Sequence, residues 1–172
     1  TASPVPMNTG AINQNPPAFV TPNGFGTYFF PSPTTCIDES TDTNVVIGTV
    51  LAQDADNDGM IYTNMATPDS KYFTISARGG YITNTLPLDF EVNGNSTGKS
   101  TYFLMVVARD RPTTTFAQSI TCTVIISVCN VNDFSPEFLA APYTAEVSEF
   151  LEMDGEILLG MSAQDADGSP YG

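Results

Sequence analysis

Apolar and polar residues alternate with a period of two along most of the chain, and the apolar positions are rich in β-branched and aromatic side chains. Asn, Asp, Gly and Pro interrupt the alternation at intervals of roughly eight to twelve residues, as in a β-sandwich. The pattern predicts an all-β fold, a seven-stranded Greek-key immunoglobulin-like β-sandwich, although no Trp is present for the usual Cys-Trp-Cys core. The predicted strands are 27–30 continuing at 35–38, 45–53, 60–64, 72–76, 81–84, 101–109 and 118–130.

The same alternation predicts which side chains face the core. Large apolar side chains contribute about 1.5 to 3 kcal/mol each when buried, so a dozen of them can support one domain. We expect at least half of the aromatic group Phe25, Tyr28, Phe29 and Phe30 to be core, and the rest could face a partner. The predicted core residues are Val46, Val50, Ile61, Phe73, Ile75, Ile82, Phe103, Met105, Val107, Val124, Ile126 and Val128.

An internal repeat divides the chain. The pentapeptide Ala-Gln-Asp-Ala-Asp at 52–56 recurs at 163–167, and Glu39 upstream of the first copy corresponds to Glu149 upstream of the second. We therefore predict a lead segment at 1–18, a complete module at 19–133 and the start of a second module at 134–172. The second module would lack most of its strands, so we expect the chain to be a fragment of a longer protein.

The composition excludes several classes of partner. Five Lys and Arg residues against 19 Asp and Glu give a net charge of −14, which disfavours nucleic acid and anionic membrane surfaces. No apolar run approaches the ~20 residues of a membrane span. The chain has no His, and pairs of acids such as Asp89 and Glu91 are better explained as metal ligands than as glycosidase acids, so we expect no enzyme.

Residues 54–59, Asp-Ala-Asp-Asn-Asp-Gly, match the opening of an EF-hand loop. The twelfth position of such a loop should be a bidentate Glu, but it is Met65, and the flanking residues are predicted strands. A helix-loop-helix calcium site is therefore rejected. The remaining alternatives are a different metal site and a solvated turn, in which Asp side chains hydrogen-bond to nearby backbone.

Five motifs follow one another in a characteristic order, and together they resemble the cadherin superfamily, in its non-classical, protocadherin-like or long forms. They are Glu39 at the end of a first strand, Asp54 and Asp56 in an Asp-x-Asp turn, Leu-Asp-Phe-Glu at 88–91, Ala-Arg-Asp at 108–110, and Asn-Val-Asn-Asp-Phe at 130–134. The last resembles the family's Asp-x-Asn-Asp-Asn hinge, with Asn130 in place of Asp and Phe134 in place of Asn. The resemblance implies calcium as the cofactor, bound between consecutive modules.

The resemblance also implies the ligands at the hinge. Carboxylates for two neighbouring ions would come from Glu39, Asp89, Glu91, Asp133 and Asp167, together with the backbone carbonyl of Val131. A third ion would take Asn132, Asp165, Asp167 and the carbonyl of Phe134, and its last ligand would lie beyond Gly172. Asn130 lies outside the ligand set in the family pattern, so its missing charge should weaken binding only modestly.

The opposite end of the complete module, the tip, carries half of this pattern. Asp54, Asp56, Asp58 and Asp110 would face Asn13 and Asn15, while Gln14 replaces the expected Asp. A full three-ion cluster cannot form from these residues. The alternatives are a single calcium ion and a metal-free solvated turn.

The three cysteines leave one without a partner. Cys122 and Cys129 lie on one predicted strand, and seven residues at ~3.3 Å each are too far apart for a disulfide. Because the first cadherin strand runs parallel to the last, the resemblance implies a Cys36–Cys129 disulfide with Cys122 as a buried free thiol; the alternative is three unpaired core cysteines. The sequon at Asn95 predicts a glycan on a surface loop.

The resemblance implies a calcium-dependent cell-cell adhesion ectodomain, extracellular and belonging to a single-pass plasma membrane protein. Its partners would be other cadherin molecules, homophilic or heterophilic, with no nucleic acid and no small-molecule substrate. The absence of Trp excludes the family's tryptophan strand swap for this segment. The alternative is a structural spacer that calcium stiffens and that makes no adhesive contact.

Overall fold

The computed structural model describes residues 13–21, 26–91, 99–111, 116–140, 142–150 and 160–167. Apart from one 3-10 turn at Ser70–Tyr72, the regular structure of these residues consists of strands, and the all-β prediction is confirmed. The strands are β1 (Ala18–Phe19), β2 (Thr27–Phe30), β3 (Ile37–Asp38), β4 (Val46–Thr49), β5 (Ala52–Gln53), β6 (Gly59–Asn64), β7 (Phe73–Ile75), β8 (Tyr81–Asn84), β9 (Thr101–Arg111), β10 (Ser119–Cys129), β11 (Glu137–Phe138) and β12 (Ala163–Gln164).

Strand β10 organises the larger sheet of the sandwich. It pairs antiparallel with β9, and β9 pairs antiparallel with β6. On its other edge β10 pairs in parallel with β2 and then with β3, so the first strands run parallel to the last one, as the resemblance implies. The second sheet has the order β4, β8, β7, and β1 pairs with β5.

The core lies between the two sheets, and the predicted orientation of β9 is wrong. Phe103 and Met105 point outward with 50% and 37% of their surface exposed, and Val107 is half-buried on the same outer face. The buried residues of this strand are the alternate ones, namely Tyr102, Leu104, Val106 and Ala108. Both sets are apolar, so the alternation within β9 could not distinguish its two faces.

Two further core predictions are wrong. Val46 is 55% exposed because it precedes an irregularity in the pairing of β4 with β8. Ile61 lies outward and half-buried, while its neighbour Tyr62 is buried with its hydroxyl accepting a hydrogen bond from the Ala52 N–H at 2.9 Å. A buried Tyr needs such a partner, and the sequence alone did not reveal this one.

The predicted strand 45–53 is broken at Val50 and Leu51. Here the Tyr28 hydroxyl accepts the N–H of Leu51 at 3.0 Å, so a side chain replaces a ladder bond. Gly80 approaches closely from β8, because it has φ of 65° and a Cβ there would lie 2.2 Å from the Val50 carbonyl oxygen. Only glycine fits this position.

The aromatic residues near the first strands divide as expected. Tyr28 is buried and Phe30 packs against the core, while Phe29 is half-buried and Phe25 lies outside the described residues. The predicted disulfide is confirmed, since Cys36 and Cys129 are bonded with their Cα atoms 5.4 Å apart. Cys122 is the predicted buried free thiol, and burial raises its pKa to about 12.

Beyond β10 the chain enters the second repeat. Strand β11 pairs antiparallel with β12, and the aromatic rings of Phe138 and Tyr143 meet edge to face with centroids 5.8 Å apart. The second Asp-x-Asp turn, at 165–167, directly follows β12. The sequon at Asn95 and residues 1–12 lie outside the described residues.

Candidate metal centre

Three carboxylates converge at the hinge end of the first module. Glu39 follows β3, and its N–H donates to the carbonyl of Cys129 at 3.1 Å. Asp89 and Glu91 lie in the segment after β8. One carboxylate oxygen from each of the three lies within 4.8 Å of the others. Parallel pairing of β3 with β10 positions Glu39 at the end of β10, and the N–H of Phe90, between Asp89 and Glu91, donates to the Glu39 carboxylate and brings the two parts of the chain together.

The Glu39 carboxylate holds this arrangement together. Its two oxygens accept backbone N–H groups, one from Phe90 and one from Val131, the latter at 2.8 Å. Glu39 is only 6% exposed. A single buried carboxylate therefore fixes the Leu-Asp-Phe-Glu segment against the start of the hinge.

A second group joins the two repeats. Glu91, Asp133 and Asp167 each place a carboxylate oxygen within 4.8 Å of the other two. Asp167 comes from the second repeat, and its carboxylate accepts the N–H groups of Asp133 at 3.4 Å and Phe134 at 3.0 Å. Glu91 belongs to both groups and lies at the centre of the cluster.

Glu91 shows most clearly that a cation fits here. It is 1% exposed, and while it is ionised neither carboxylate oxygen has a hydrogen-bond partner among the residues that the structure describes. Burial, and then the charge of Glu39, raises the pKa of Glu91 to about 7. Burial also raises the pKa of Asp133, followed by the charges of Glu39 and Asp167. Buried polar groups are normally satisfied, so an unsatisfied carboxylate among other acids calls for a positive charge.

The donor set determines which cation suits the site. All of the converging side chains offer carboxylate oxygens, and the chain contains no His. Hard oxygen donors in a cluster of variable geometry are what Ca²⁺ prefers, since it takes six to eight of them. The residues present therefore fit calcium.

The remaining predicted ligands lie around this cluster. Val131 is half-buried, Asn132 and Phe134 are exposed, and Asp165 is half-buried with its carboxylate accepting the Asp167 N–H at 3.0 Å. Asp165 is in neither group of three converging carboxylates among the described residues. Fewer carboxylate oxygens therefore converge at the predicted site of the third ion than at the sites of the first two.

The tip of the module has the same turn but fewer converging acids. Asp56 accepts the backbone N–H groups of Gln14 at 2.9 Å and Asn15 at 2.8 Å. These hydrogen bonds stabilise its carboxylate and lower the pKa of Asp56, and the backbone bond from Asn15 has the largest effect. Asp110 is 1% exposed and accepts the Asn13 amide at 3.0 Å. In the described part of the chain these acids form no group of three with oxygens within 4.8 Å.

Two other acids complete the tip. Asp54 accepts the Asp56 N–H at 2.7 Å through one oxygen, while its other oxygen is buried without a partner among the described residues. Burial raises the pKa of Asp58, followed by the charges of Asp54, Asp110 and Asp56. The tip thus keeps some unbalanced negative charge, though less than the hinge.

Sequence reasoning missed one contact at the hinge. The Asn130 side-chain amide donates to the backbone carbonyl of Asp167 at 2.7 Å. This hydrogen bond joins the first repeat to the second. It needs a donor at position 130, and an ionised Asp, the residue that the family pattern has there, could not donate it. The sequence feature that could have indicated this contact is the amide of Asn130, because Asn provides a hydrogen-bond donor as well as lacking the charge of Asp.

The fold and this geometry define a class, the immunoglobulin-like sandwich repeat with clustered carboxylates at its junction. The family model for the cadherin domain matches residues 33–129. Mouse Desmocollin-1 is 35% identical over 73% of the chain, and human Protocadherin Fat 4 is 34% identical over 76%. The chain belongs to the cadherin family.

Solved structures agree with this assignment. Repeats 22 to 24 of mouse Cadherin-23 match with a TM-score of 0.70 at 25% identity, over 93% of this chain and 46% of that one. The chain covers 14% of Desmocollin-1 and 2% of human Fat 4, so it spans a small part of these relatives. The segment consists of cadherin ectodomain repeats, which are extracellular and bind calcium as a family, and it is not an enzyme. Among the described residues, no helix has the length and apolarity to cross a membrane.

Proposed function

We propose that calcium ions bound at the hinge cluster rigidify the junction between the two repeats of a cell-cell adhesion ectodomain. The observation that carries this proposal is the position of Glu91, a buried carboxylate within 4.8 Å of acids from both repeats, whose oxygens have no hydrogen-bond donor among the described residues while it is ionised. Its ligand partners are Glu39, Asp89, Asp133 and Asp167, with the carbonyl of Val131. A third ion would take Asn132, Asp165, Asp167 and the carbonyl of Phe134.

The physical reason is electrostatic. Like charges ~4 Å apart repel by about 4 kcal/mol at an effective dielectric constant near 20, so the metal-free cluster favours separation of the repeats. A divalent cation reverses the sign of these interactions, because the same oxygens become its ligands. Asp167 is the residue that transmits this change to the second repeat.

At the level of the whole protein, we propose a single-pass plasma membrane protein that binds other cadherin molecules, homophilically or heterophilically. The absence of Trp supports a contact other than the tryptophan strand swap. A glycan on Asn95 would agree with an extracellular location. At the tip, a single calcium ion held by Asp54, Asp56, Asp58 and Asp110 beside Asn13 and Asn15 remains a prediction.

Small-angle scattering of an ectodomain segment that contains both repeats whole tests the rigid junction. With calcium we expect a narrow, extended distribution of interatomic distances, and after calcium removal a broader and more compact one. A Glu91→Gln variant should behave as the calcium-free protein at calcium concentrations that saturate the parent. Identical scattering with and without calcium would refute the proposal.

The spacer alternative shares this chemistry and differs in its contacts. Beads coated with the complete ectodomain should aggregate in calcium if the protein is adhesive. Beads that remain dispersed in calcium, with an intact rigid junction, would favour the spacer.

A further inference from the structure

The outer face of the larger sheet is apolar at its centre. Phe103 and Met105 on β9 are 50% and 37% exposed, and Met65, whose N–H donates to the Met105 carbonyl, is 43% exposed. Ile125 pairs in register with both Phe103 and Phe29, so three large side chains form a row across three strands. We name this surface, formed by the outward residues of β2, β10, β9 and β6, the outer face.

Charge is almost absent from the outer face. The chain as a whole has 19 acidic residues and five basic ones, yet the charged residues at the outward positions of these strands are Arg109 and Arg111. Asp38 extends the face at the opposite end, because it pairs with the outward Cys129. The uncharged outward positions are Thr27, Phe29, Gly59, Ile61, Thr63, Thr101, Phe103, Met105, Val107, Ser119, Thr121, Thr123, Ile125, Ser127 and Cys129.

The two charged ends are placed symmetrically about the centre of the face. Thr123 and Met105 are register partners on antiparallel strands. Arg111 lies six residues beyond Met105 along β9. Because β10 runs antiparallel to β9, the residue six positions beyond Thr123, Cys129, lies at the opposite end of the face, and its register partner on β3 is Asp38. At ~3.3 Å per residue, each charged end is about 20 Å from the Thr123–Met105 pair.

From this symmetry we infer that the outer face is a homophilic contact, on which a second copy of the chain packs face to face and antiparallel. A two-fold axis in the plane of the contact, near the Thr123–Met105 pair, brings Arg111 of each copy to Asp38 of the other. Met105 of each copy then lies at the axis, and Phe103, two residues away along β9, faces the apolar Val107 of the other copy. This inference rests on the proposed adhesive function and names the surface that would perform it.

Sheet packing supplies the remaining geometry. Arg111 on β9 and Asp38 on β3 are two strands apart, a lateral offset of about 10 Å. Sheets that pack face to face commonly cross at about 30°. At ~20 Å from the axis this angle shifts a residue sideways by about 10 Å, which matches the lateral offset between Arg111 and Asp38. Lys99 lies at the level of Asp38 but is already engaged, because it forms an ion pair with Asp69 and covers the ring of Tyr102.

Charge also favours a second copy as the occupant. Two chains with a net charge of −14 repel over most of their surfaces, so a homophilic contact requires a face that is free of clustered acids or is internally complementary. The outer face has both properties. We expect a weak and reversible dimer, of the kind found at the low end of specific interfaces, because two chains with a net charge of −14 repel outside this face.

Sedimentation equilibrium of the full chain in calcium tests the inference, with Phe103→Asp as the disrupting variant. Tyr81→Asp is the matched control, because Tyr81 is an aromatic residue with 51% exposure on the other sheet. We expect the parent and the control to dimerise equally and Phe103→Asp to raise the dimer Kd by at least about tenfold. A parent that is monomeric up to millimolar concentration, or a dimer that Phe103→Asp leaves unchanged, would overturn the inference.

A charge exchange provides a second test that leaves the apolar residues in place. Arg111→Asp and Asp38→Arg should each weaken the dimer, and the double variant should recover most of the affinity, because each copy then offers the reversed pair. Failure of the double variant to recover would overturn the antiparallel arrangement. Calcium-dependent thermal stabilisation, measured on the same samples, reports the hinge independently, so loss of the dimer with normal stabilisation would leave the calcium proposal intact.

Discussion

The two ends of the first repeat have the same hydrogen-bonded Asp-x-Asp turn but different arrangements of acidic side chains around it. At the hinge, Asp167 accepts backbone N–H groups from Asp133 and Phe134, and at the tip Asp56 accepts those of Gln14 and Asn15. The two ends therefore share the geometry of the Asp-x-Asp turn and its incoming segment. What differs is the convergence of the carboxylates, which form two groups of three at the hinge and no such group among the described residues of the tip.

The difference originates in four positions. The hinge has Glu39, Asp89 and Glu91 from the module above, whereas the lead segment before the tip offers Asn13, Gln14 and Asn15. Gln14 stands where the hinge has Asp133. Amide groups can donate hydrogen bonds to acids, so they stabilise Asp56 and Asp110 without a cation. We therefore expect the convergence of carboxylates, and not turn geometry, to determine how strongly each end binds calcium.

The largest effect should follow from neutralising the central acid of the hinge. Glu91→Gln removes a carboxylate shared by both groups, and because ligand charge sets calcium affinity, we expect affinity to fall on the order of 100-fold. The calcium-free variant should melt at a higher temperature than the calcium-free parent, because a buried unpaired charge has gone. Calcium titration followed by thermal melting measures both.

The control for this prediction is Asp58→Asn at the tip, which should change hinge affinity little. Equal losses at the two positions would contradict the distinction between the ends. So would a Glu91→Gln variant with unaltered calcium-dependent stabilisation.

A moderate effect is expected from pH. Glu91 has a folded-state pKa of about 7 against an ordinary value of 4.5, so between these values the folded state binds more protons than the unfolded state. In calcium-depleted buffer, stability should therefore fall as pH rises from about 4.5 to 7, and the raised pKa of Asp133 acts in the same direction. Saturating calcium should remove most of this fall.

Denaturant unfolding at several pH values, with Glu91→Gln for comparison, separates this effect from general charge repulsion. The variant should show a shallower fall in calcium-depleted buffer. A parent whose stability rises over this window without calcium would contradict the assigned environment of Glu91.

The smallest effect should come from making the tip more like the hinge. Gln14→Asp adds one carboxylate beside Asp56, which accepts the backbone N–H of residue 14. We expect Gln14→Asp to increase calcium affinity at the tip by roughly tenfold or less, since one added charge does not replace the missing Glu side chains. Isothermal titration on a Glu91→Gln background isolates the tip, and an unchanged heat would contradict the role assigned to Gln14.

Much of this molecule could be predicted from its sequence, because its signals are periodic or occur in ordered motifs. Strand β8 has the predicted bounds, and the Cys36–Cys129 disulfide follows from the resemblance. The orientation of β9 could not be predicted, since Phe103 and Leu104 are equally apolar and only pairing of Leu104 with the inward Val124 decides between them. The Asn130 bond to the Asp167 carbonyl was equally inaccessible, because it depends on the relative placement of two repeats.

The most direct test of the account is an anomalous difference map from crystals of the chain grown in calcium chloride. The account predicts strong peaks among the carboxylates of Glu39, Asp89, Glu91, Asp133 and Asp167, with weaker or no signal at the tip. Electron density that accounts only for water among these five acids would contradict it.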